Sequence, residues 1–365
     1  MTSLRAAVYI GVDRPLRLET LELDEPGPGE VAVRIEASGL CHSDLHVMLG
    51  EWSERPPMVL GHEGCGVVES VGEDVHQFAP GDRVVLCWYA PCGECARCRA
   101  GRPWVCLNTR ANSSLMPDGG TRLRRMTGES VRSYLAVGSF GQRAVVPASG
   151  AVRVDGRLPA ELGALIGCGV ATGVGAVTNT AAVQQGQSVV VVGCGGVGLS
   201  VVMGAVLVGA DPVIAVDISP PKLRLAGDVG ATHMVHAGDA AGVEVAAILP
   251  NGPDHVFEAI GLRETIEWAI SLLSPGGTAT LVGMTPEGTK VSFDPLPFTS
   301  AGRSILGCTY GSCVPDRDFP RLAELVMQGK LPVARLIAER IGLEDVNRAF
   351  DQMRAGDGAR RVLIH

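Results

Sequence analysis

The chain has 365 residues, enough for two domains, and it is 46% hydrophobic and 19% charged, a balance that supports a large globular core. A net charge of −8 without a long basic run argues against nucleic acid as a partner. The first residues lack the apolar run of a signal peptide, and Gly and Pro break the longest apolar stretches at strand-like lengths, so no membrane span is expected. A cytoplasmic location follows, and in that compartment eleven cysteines point to metal rather than to disulfides.

Residues 5–10, 16–23 and 31–37 alternate or run apolar at strand length, with turns at 11–15 and 26–29, which predicts an antiparallel β opening. Residues 67–71 and 83–86 continue it. A loop rich in Cys, Gly and Arg spans 91–140, and within it the stretch 110–137, with four arginines between Arg122 and Arg132, reads as too polar for core. Strand character returns over 141–154, and 159–165 reads as a short helix leading to Cys168. At Gly186 the texture changes. Residues 188–192 form a continuous run dominated by Val, the mark of a strand buried on both faces of a parallel sheet. An apolar helix follows over 199–208. Strands at 212–216, 255–259, 278–282 and 304–307 are interleaved with or followed by helices at 222–229, 264–273 and 319–328, which argues for an α/β doubly wound parallel sheet. A helix over 344–354 and a strand over 361–364 close the chain.

Cys92, Cys95 and Cys98 recur every third residue, and Cys106 follows eight later. Four thiolates fill a tetrahedral zinc shell and leave no open position, so this site is expected to be structural. A glycine loop, Gly193-Cys194-Gly195-Gly196-Val197-Gly198, follows a buried strand and opens a helix, the context a dinucleotide-binding turn requires. Gly193 allows the tight turn, Gly195 lets backbone approach a diphosphate, and Gly198 lets the helix pack on its strand. Asp217 ends the next strand, 19 residues after Gly198, where a carboxylate takes the adenosine ribose hydroxyls and repels a 2′-phosphate, favouring NAD over NADP. Finally, Cys41, His62 and Cys168 could supply two thiolates and one imidazole to a metal, leaving its fourth position for water or substrate.

With these motifs the chain resembles the zinc-dependent medium-chain alcohol dehydrogenases, through residues 39–46, 61–66, 92–106, 167–173, 193–198 and Asp217. The resemblance implies a GroES-like β-rich catalytic domain over residues 1–169 and 310–365, with a Rossmann domain inserted over 170–309. It implies two zinc ions per chain: a catalytic one on Cys41, His62 and Cys168, and a structural one on the four clustered cysteines. Asp44 is implied as the carboxylate that orients His62, and Glu63 as a carboxylate behind the metal. Ser43 is implied to take the alcohol proton, and His46 to end a relay that runs through the nicotinamide ribose. Gly193, Gly195, Gly196, Val197, Gly198, Asp217, Lys222 and Arg360 are implied to hold NAD. His42 stands where the family often has an arginine on the diphosphate. Trp52 and Trp88 fall near positions that line the substrate pocket and make it apolar.

The implied activity is NAD-dependent oxidation of a primary or bulky apolar alcohol, bound to zinc as its alkoxide, and the reverse reaction. The alternatives are a thiol-adduct formaldehyde dehydrogenase and, from another class, a non-catalytic zinc- and nucleotide-binding protein. A homodimer is expected, with a tetramer as the alternative and 303–307 as the edge strand that pairs across the two-fold axis.

Overall fold

The computed structural model describes residues 1–356 and 360–365. In chain order the first strands are Thr2–Tyr9 (β1), Arg17–Leu23 (β2), Glu30–Gly39 (β3), Met58–Val59 (β4), Glu63–Val71 (β5) and Arg83–Leu86 (β6). Leu123–Arg125 (β7), Ser130–Ser133 (β8), Arg143–Pro147 (β9) and Ala151–Arg153 (β10) follow. The six strands of the second half are Val189–Val192 (β11), Val213–Asp217 (β12), His233–His236 (β13), His255–Glu258 (β14), Thr278–Leu281 (β15) and Ser304–Gly307 (β16). Ile337–Ile341 (β17) and Arg360–Ile364 (β18) return to the first fold unit.

One compact unit comprises Met1–Cys168, Val314–Gly329 and Ile337–His365. It contains a closed barrel, β1-β2-β7-β8-β4, and a sheet in the order β10-β6-β5-β3-β18-β17, with β9 on β3. The core at this barrel is built from buried residues of its five strands together with Phe140 and Phe350, whose rings meet edge to face at 5.9 Å. The register of the sheet places the chemistry. Gly39 pairs with Glu63 on one side and with Val362 on the other. Cys41 therefore emerges two residues past the end of β3, next to His62 and Glu63 at the start of β5. Arg360, two residues before Val362 on antiparallel β18, is brought to the same end.

The second unit comprises Gly169–Cys313 and Lys330–Leu336. Its six strands are all parallel, in the order β13-β12-β11-β14-β15-β16, the doubly wound arrangement that reverses direction between β11 and β14. β11 is buried along its whole length, as its run of valines requires. The sequence reading missed β13 and the helix Ala241–Ile248, because His233, Met234 and His236 leave β13 with one buried residue and no apolar pattern.

Two expectations need correction. The helix expected to stop at residue 165 continues as one helical run, Ala160–Thr180. The glycines of this run permit close approach: a Cβ on Gly173 would lie 2.4 Å from the Ser200 Cβ, and one on Gly175 2.4 Å from the Gly311 carbonyl oxygen. Among the described residues this is the one helix long and apolar enough to cross a membrane, and 78% of its apolar window is buried inside the protein, as for a core helix.

The stretch 110–137 is not core-free. It contributes β7 and β8 to the barrel and buries Ala111, Met116, Leu123, Val131, Tyr134 and Ala136. Three of its four arginines are tied to carboxylates that the sequence holds far away. Arg122 grips Glu30 with two hydrogen bonds of 2.6 and 2.8 Å, Arg124 meets Asp24 at 2.6 Å, and Arg125 grips Glu19 at 2.7 and 2.8 Å. Glu30 is 3% exposed, so Arg122 neutralises a buried charge. Replacing Arg122 by Met strands that carboxylate and should cost about 3–5 kcal/mol. Adding Glu30→Leu should recover most of the loss. Chemical denaturation of the two single variants and the double variant measures this coupling, and additive losses would contradict it.

Candidate active site

The first turn after β3 builds one wall of the site. Cys41 is the N-cap of the helix His42–Met48 (α1), so Ser43 and Asp44 fall in its first turn and His46 in its last. Asp44 is fully buried, and its Oδ1 accepts hydrogen bonds from the Gly61 backbone N–H at 2.9 Å and from His62 Nδ1 at 3.3 Å. Gly61 has φ +86°, and a Cβ there would collide with Phe140, so only glycine lets the chain enter β5 with His62 turned onto Asp44. Bonding at Nδ1 leaves His62 Nε2 for a metal. Cys168 lies in the widened turn Ile166–Val170 of the long helix, a distortion often found at functional sites.

Cys41, His62, Glu63 and Cys168 each offer a ligand atom, and these atoms lie within 4.8 Å of one another, all on buried residues. The electrostatics fit a cation. A hydrogen bond from Cys168 holds the Cys41 thiol well below its ordinary value despite burial, and sharing that bond raises Cys168. Burial pulls His62 down, but the charges of Asp44 and Cys41 outweigh it and raise His62 well above the ordinary imidazole value. Burial pushes Glu63 up to about 7, partly offset by Arg360, which pairs with its Oε2. Among the described residues, Glu63 Oε1 and Asp44 Oδ2 are buried without a hydrogen-bond partner. Two sulfurs and one imidazole form the donor set of a zinc site with an open fourth position, and the unpartnered Glu63 oxygen lies beside it.

Cys92, Cys95, Cys98 and Cys106 form the second cluster, also within 4.8 Å. Backbone N–H groups donate to their sulfurs: Cys95 to Cys92 at 3.4 Å, Leu107 and Cys98 to Cys95 at 3.5 Å each, and Cys92 to Cys106 at 3.3 Å. Donation from Leu107 and Cys98 brings Cys95 down to about 6, whereas burial and the hydrogen bond with Cys95 push Cys98 up to about 12.

Within the second unit, Gly193 has φ +95°. A Cβ on Gly198 would lie 1.7 Å from the Gly193 carbonyl oxygen, whereas one on Gly195 would meet nothing within 4 Å. The middle glycine thus faces open space, as a diphosphate contact needs. Gly196 and Val197 open the helix Gly196–Leu207 (here α2). Asp217 Oδ2 accepts from the Cys194 N–H at 2.7 Å and Oδ1 from the Ser219 N–H at 2.8 Å, which locks the carboxylate beside the loop with lone pairs to spare. Lys222 is half-buried near the start of the helix Pro220–Asp228 (α3).

The remaining residues sit as follows. His42 is exposed, and Ser43 is half-buried with its Oγ 3.7 Å from the Cys41 sulfur. His46 Nδ1 pairs with Glu51, and the His46 ring stacks on Trp52 with centroids 4.5 Å apart. Trp88 packs against the core under β3 and β5 and meets Tyr89 edge on at 5.3 Å. Arg360, expected on a diphosphate, is buried against Glu63. Two neighbours escaped the sequence reading. Tyr134 meets the His62 ring edge on at 5.6 Å, and Glu51 binds His46 from beyond the helix end, where no periodic pattern signals it.

Comparison with known proteins agrees with this arrangement. The alcohol dehydrogenase GroES-like domain family matches residues 27–160, and the zinc-binding dehydrogenase family matches residues 196–328. The chain belongs to the zinc-dependent medium-chain alcohol dehydrogenases. The NDMA-dependent alcohol dehydrogenase of Amycolatopsis methanolica is 36% identical over 99% of this chain and 98% of its own. An S-(hydroxymethyl)glutathione dehydrogenase of Synechocystis is 36% identical over 98% of this chain and 99% of its own. Among solved structures, benzyl alcohol dehydrogenase from Acinetobacter calcoaceticus superimposes with a TM-score of 0.94 at 32% identity, covering 100% of this chain and 99% of that one. Zinc and NAD are the cofactors of this oxidoreductase, and its residues fit both.

Replacing Cys168 by Ser should lower metal content from two zinc ions to one per chain and abolish turnover, with NADH binding retained. Cys98→Ser should also lose one zinc, but with lower stability and residual specific activity in the folded fraction. Metal analysis alongside NADH titration separates the two clusters. One zinc per chain in a fully active wild-type preparation would refute the assignment.

Proposed function

We propose that the protein catalyses NAD-dependent oxidation of a primary or bulky apolar alcohol to the aldehyde or ketone, and the reverse reaction. The observation that carries this reading is the buried convergence of Cys41, His62 and Cys168 with Asp44 bonded behind the imidazole. When bound, zinc supplies Lewis-acid polarisation of an oxygen and NAD a hydride acceptor. The chain's own residues do the rest. Cys41, His62 and Cys168 hold the metal, and Asp44 fixes the ring of His62. Glu63, with one free carboxylate oxygen, stands ready to exchange with a ligand. Ser43 and His46, three residues apart and so on one face of α1, pass the alcohol proton outward. The loop 193–198 holds the diphosphate at a helix N-terminus and Asp217 the ribose, with Lys222 on the neighbouring helix adding positive charge. Trp52, stacked on His46, gives the pocket its apolar character.

A second reading, oxidation of a thiol adduct of formaldehyde, is favoured by the S-(hydroxymethyl)glutathione dehydrogenases among the relatives. Turnover of NAD with benzyl alcohol, aliphatic primary alcohols and S-(hydroxymethyl)glutathione decides between them. A kcat/KM at least tenfold higher for an apolar alcohol supports the first reading. Preference for the adduct supports the second, and no turnover with any of them would leave a binding protein.

Six of the eleven cysteines stand in the two metal-ligand clusters, which supports metal rather than disulfide chemistry and with it a reducing, cytoplasmic setting. We propose a homodimer. β16 is an edge strand, and Val291, Phe293 and Leu296, on the chain leading to it, are exposed. Light scattering should give twice the chain mass, and Ile305→Pro, at the position whose N–H faces away from β15 because that of Ser304 donates to the Gly277 carbonyl, should lower it toward one chain. A wild-type mass of one or four chains would overturn this arrangement.

A further inference from the structure

We propose that Glu51 is a positioning residue of the proton relay. Its carboxylate holds His46 as the Nδ1–H tautomer and balances the imidazolium formed when Nε2 takes a proton. This deepens the relay reading of Ser43 and His46 and rests on it.

Three local features hold the pair together. α1 ends at Met48, and Gly50, with φ +74°, reverses the chain. The Glu51 N–H then donates to the His46 carbonyl oxygen at 2.9 Å, which brings the Glu51 side chain back over its own helix end. Glu51 Oε2 meets His46 Nδ1 directly. The Trp52 indole covers one face of the ring at 4.5 Å, with the planes only 26° apart. His46 is thus fixed both by an edge contact and by a face contact, although its side chain is 21% exposed.

The chemistry follows from the donor inventory. A neutral imidazole has one N–H and one bare nitrogen, and a carboxylate only accepts, so the bond to Glu51 places the hydrogen on Nδ1 and leaves Nε2 as the acceptor. A proton arriving through the relay forms an N–H bond at Nε2. The resulting positive ring lies between the Glu51 carboxylate and the face of the Trp52 indole. The ring returns to neutral by releasing the same Nε2 proton to water, so Glu51 is neither protonated nor consumed. This is the logic by which a carboxylate orients and stabilises the histidine of a hydrolytic triad.

The test uses holoenzyme labelled with 15N-histidine and long-range 1H–15N spectra, with the His46 signals assigned by their loss in His46→Gln. In the wild type, His46 should show the Nδ1–H tautomer. In Glu51→Leu that tautomer should fall, and Glu51→Asp should restore it in part. Zinc content of two per chain confirms that each variant has folded. The kcat for alcohol oxidation should drop about tenfold in Glu51→Leu, at the lower end for a relay group because water can partly replace the carboxylate, while the KM for NAD stays unchanged. An unchanged tautomer and kcat in Glu51→Leu, alongside a slowed His46→Gln, would overturn the role of Glu51 and leave the relay standing. If His46→Gln is also as fast as wild type, the relay reading itself has failed and the role of Glu51 fails with it.

Discussion

The structure depends on a concentration of charge that protein alone stabilises poorly. Cys41, His62, Glu63 and Cys168 are buried together, and Asp44 is buried behind them. Arg360 pairs with Glu63 Oε2, while Glu63 Oε1 and Asp44 Oδ2 are, among the described residues, buried without a hydrogen-bond partner. Loading a metal replaces the protons on the ligands with a divalent charge at the centre, so metal binding and local stability are coupled. The surrounding fold supplies what the metal cannot: Gly61 to turn the chain, Asp44 to orient the ring, and Arg360 to hold one oxygen of Glu63.

Rigid β structure sets these positions. Three neighbouring strands, β5, β3 and β18, end at one level, and their register alone brings His62 and Glu63, Cys41, and Arg360 together. Cys168 arrives on a helix instead, where a widened turn re-aims its side chain. The second cluster works differently. A loop poor in apolar residues is organised by backbone N–H groups pointing at three of its four sulfurs, so a metal there does the work that packing does elsewhere.

The nucleotide-binding unit relies on backbone rather than side chains. Its loop offers a left-handed turn at Gly193, open space before Gly195 and contact at Gly198. Asp217 is pinned by the loop itself through the Cys194 N–H, so the group proposed to read the ribose is held by the segment proposed to hold the diphosphate.

The sequence by itself determined the features that are local or periodic. The valine run of β11, the glycine spacing, the four-cysteine loop and the alternation of strand and helix are visible because strand burial, φ freedom and thiolate coordination each leave a short-range mark. It also singled out Cys41, His62 and Cys168 as ligand types. Pairings that depend on register left no such mark, and only the tertiary structure decided them. Arg360 binds Glu63 because β18 lies antiparallel to β3, and Glu51 reaches His46 because Gly50 reverses the chain past a helix end. The arginines of 110–137 looked like an exposed polar segment because their carboxylate partners, Glu19, Asp24 and Glu30, lie some hundred residues earlier. Charge in a sequence reads as surface until folding brings its counter-charge alongside.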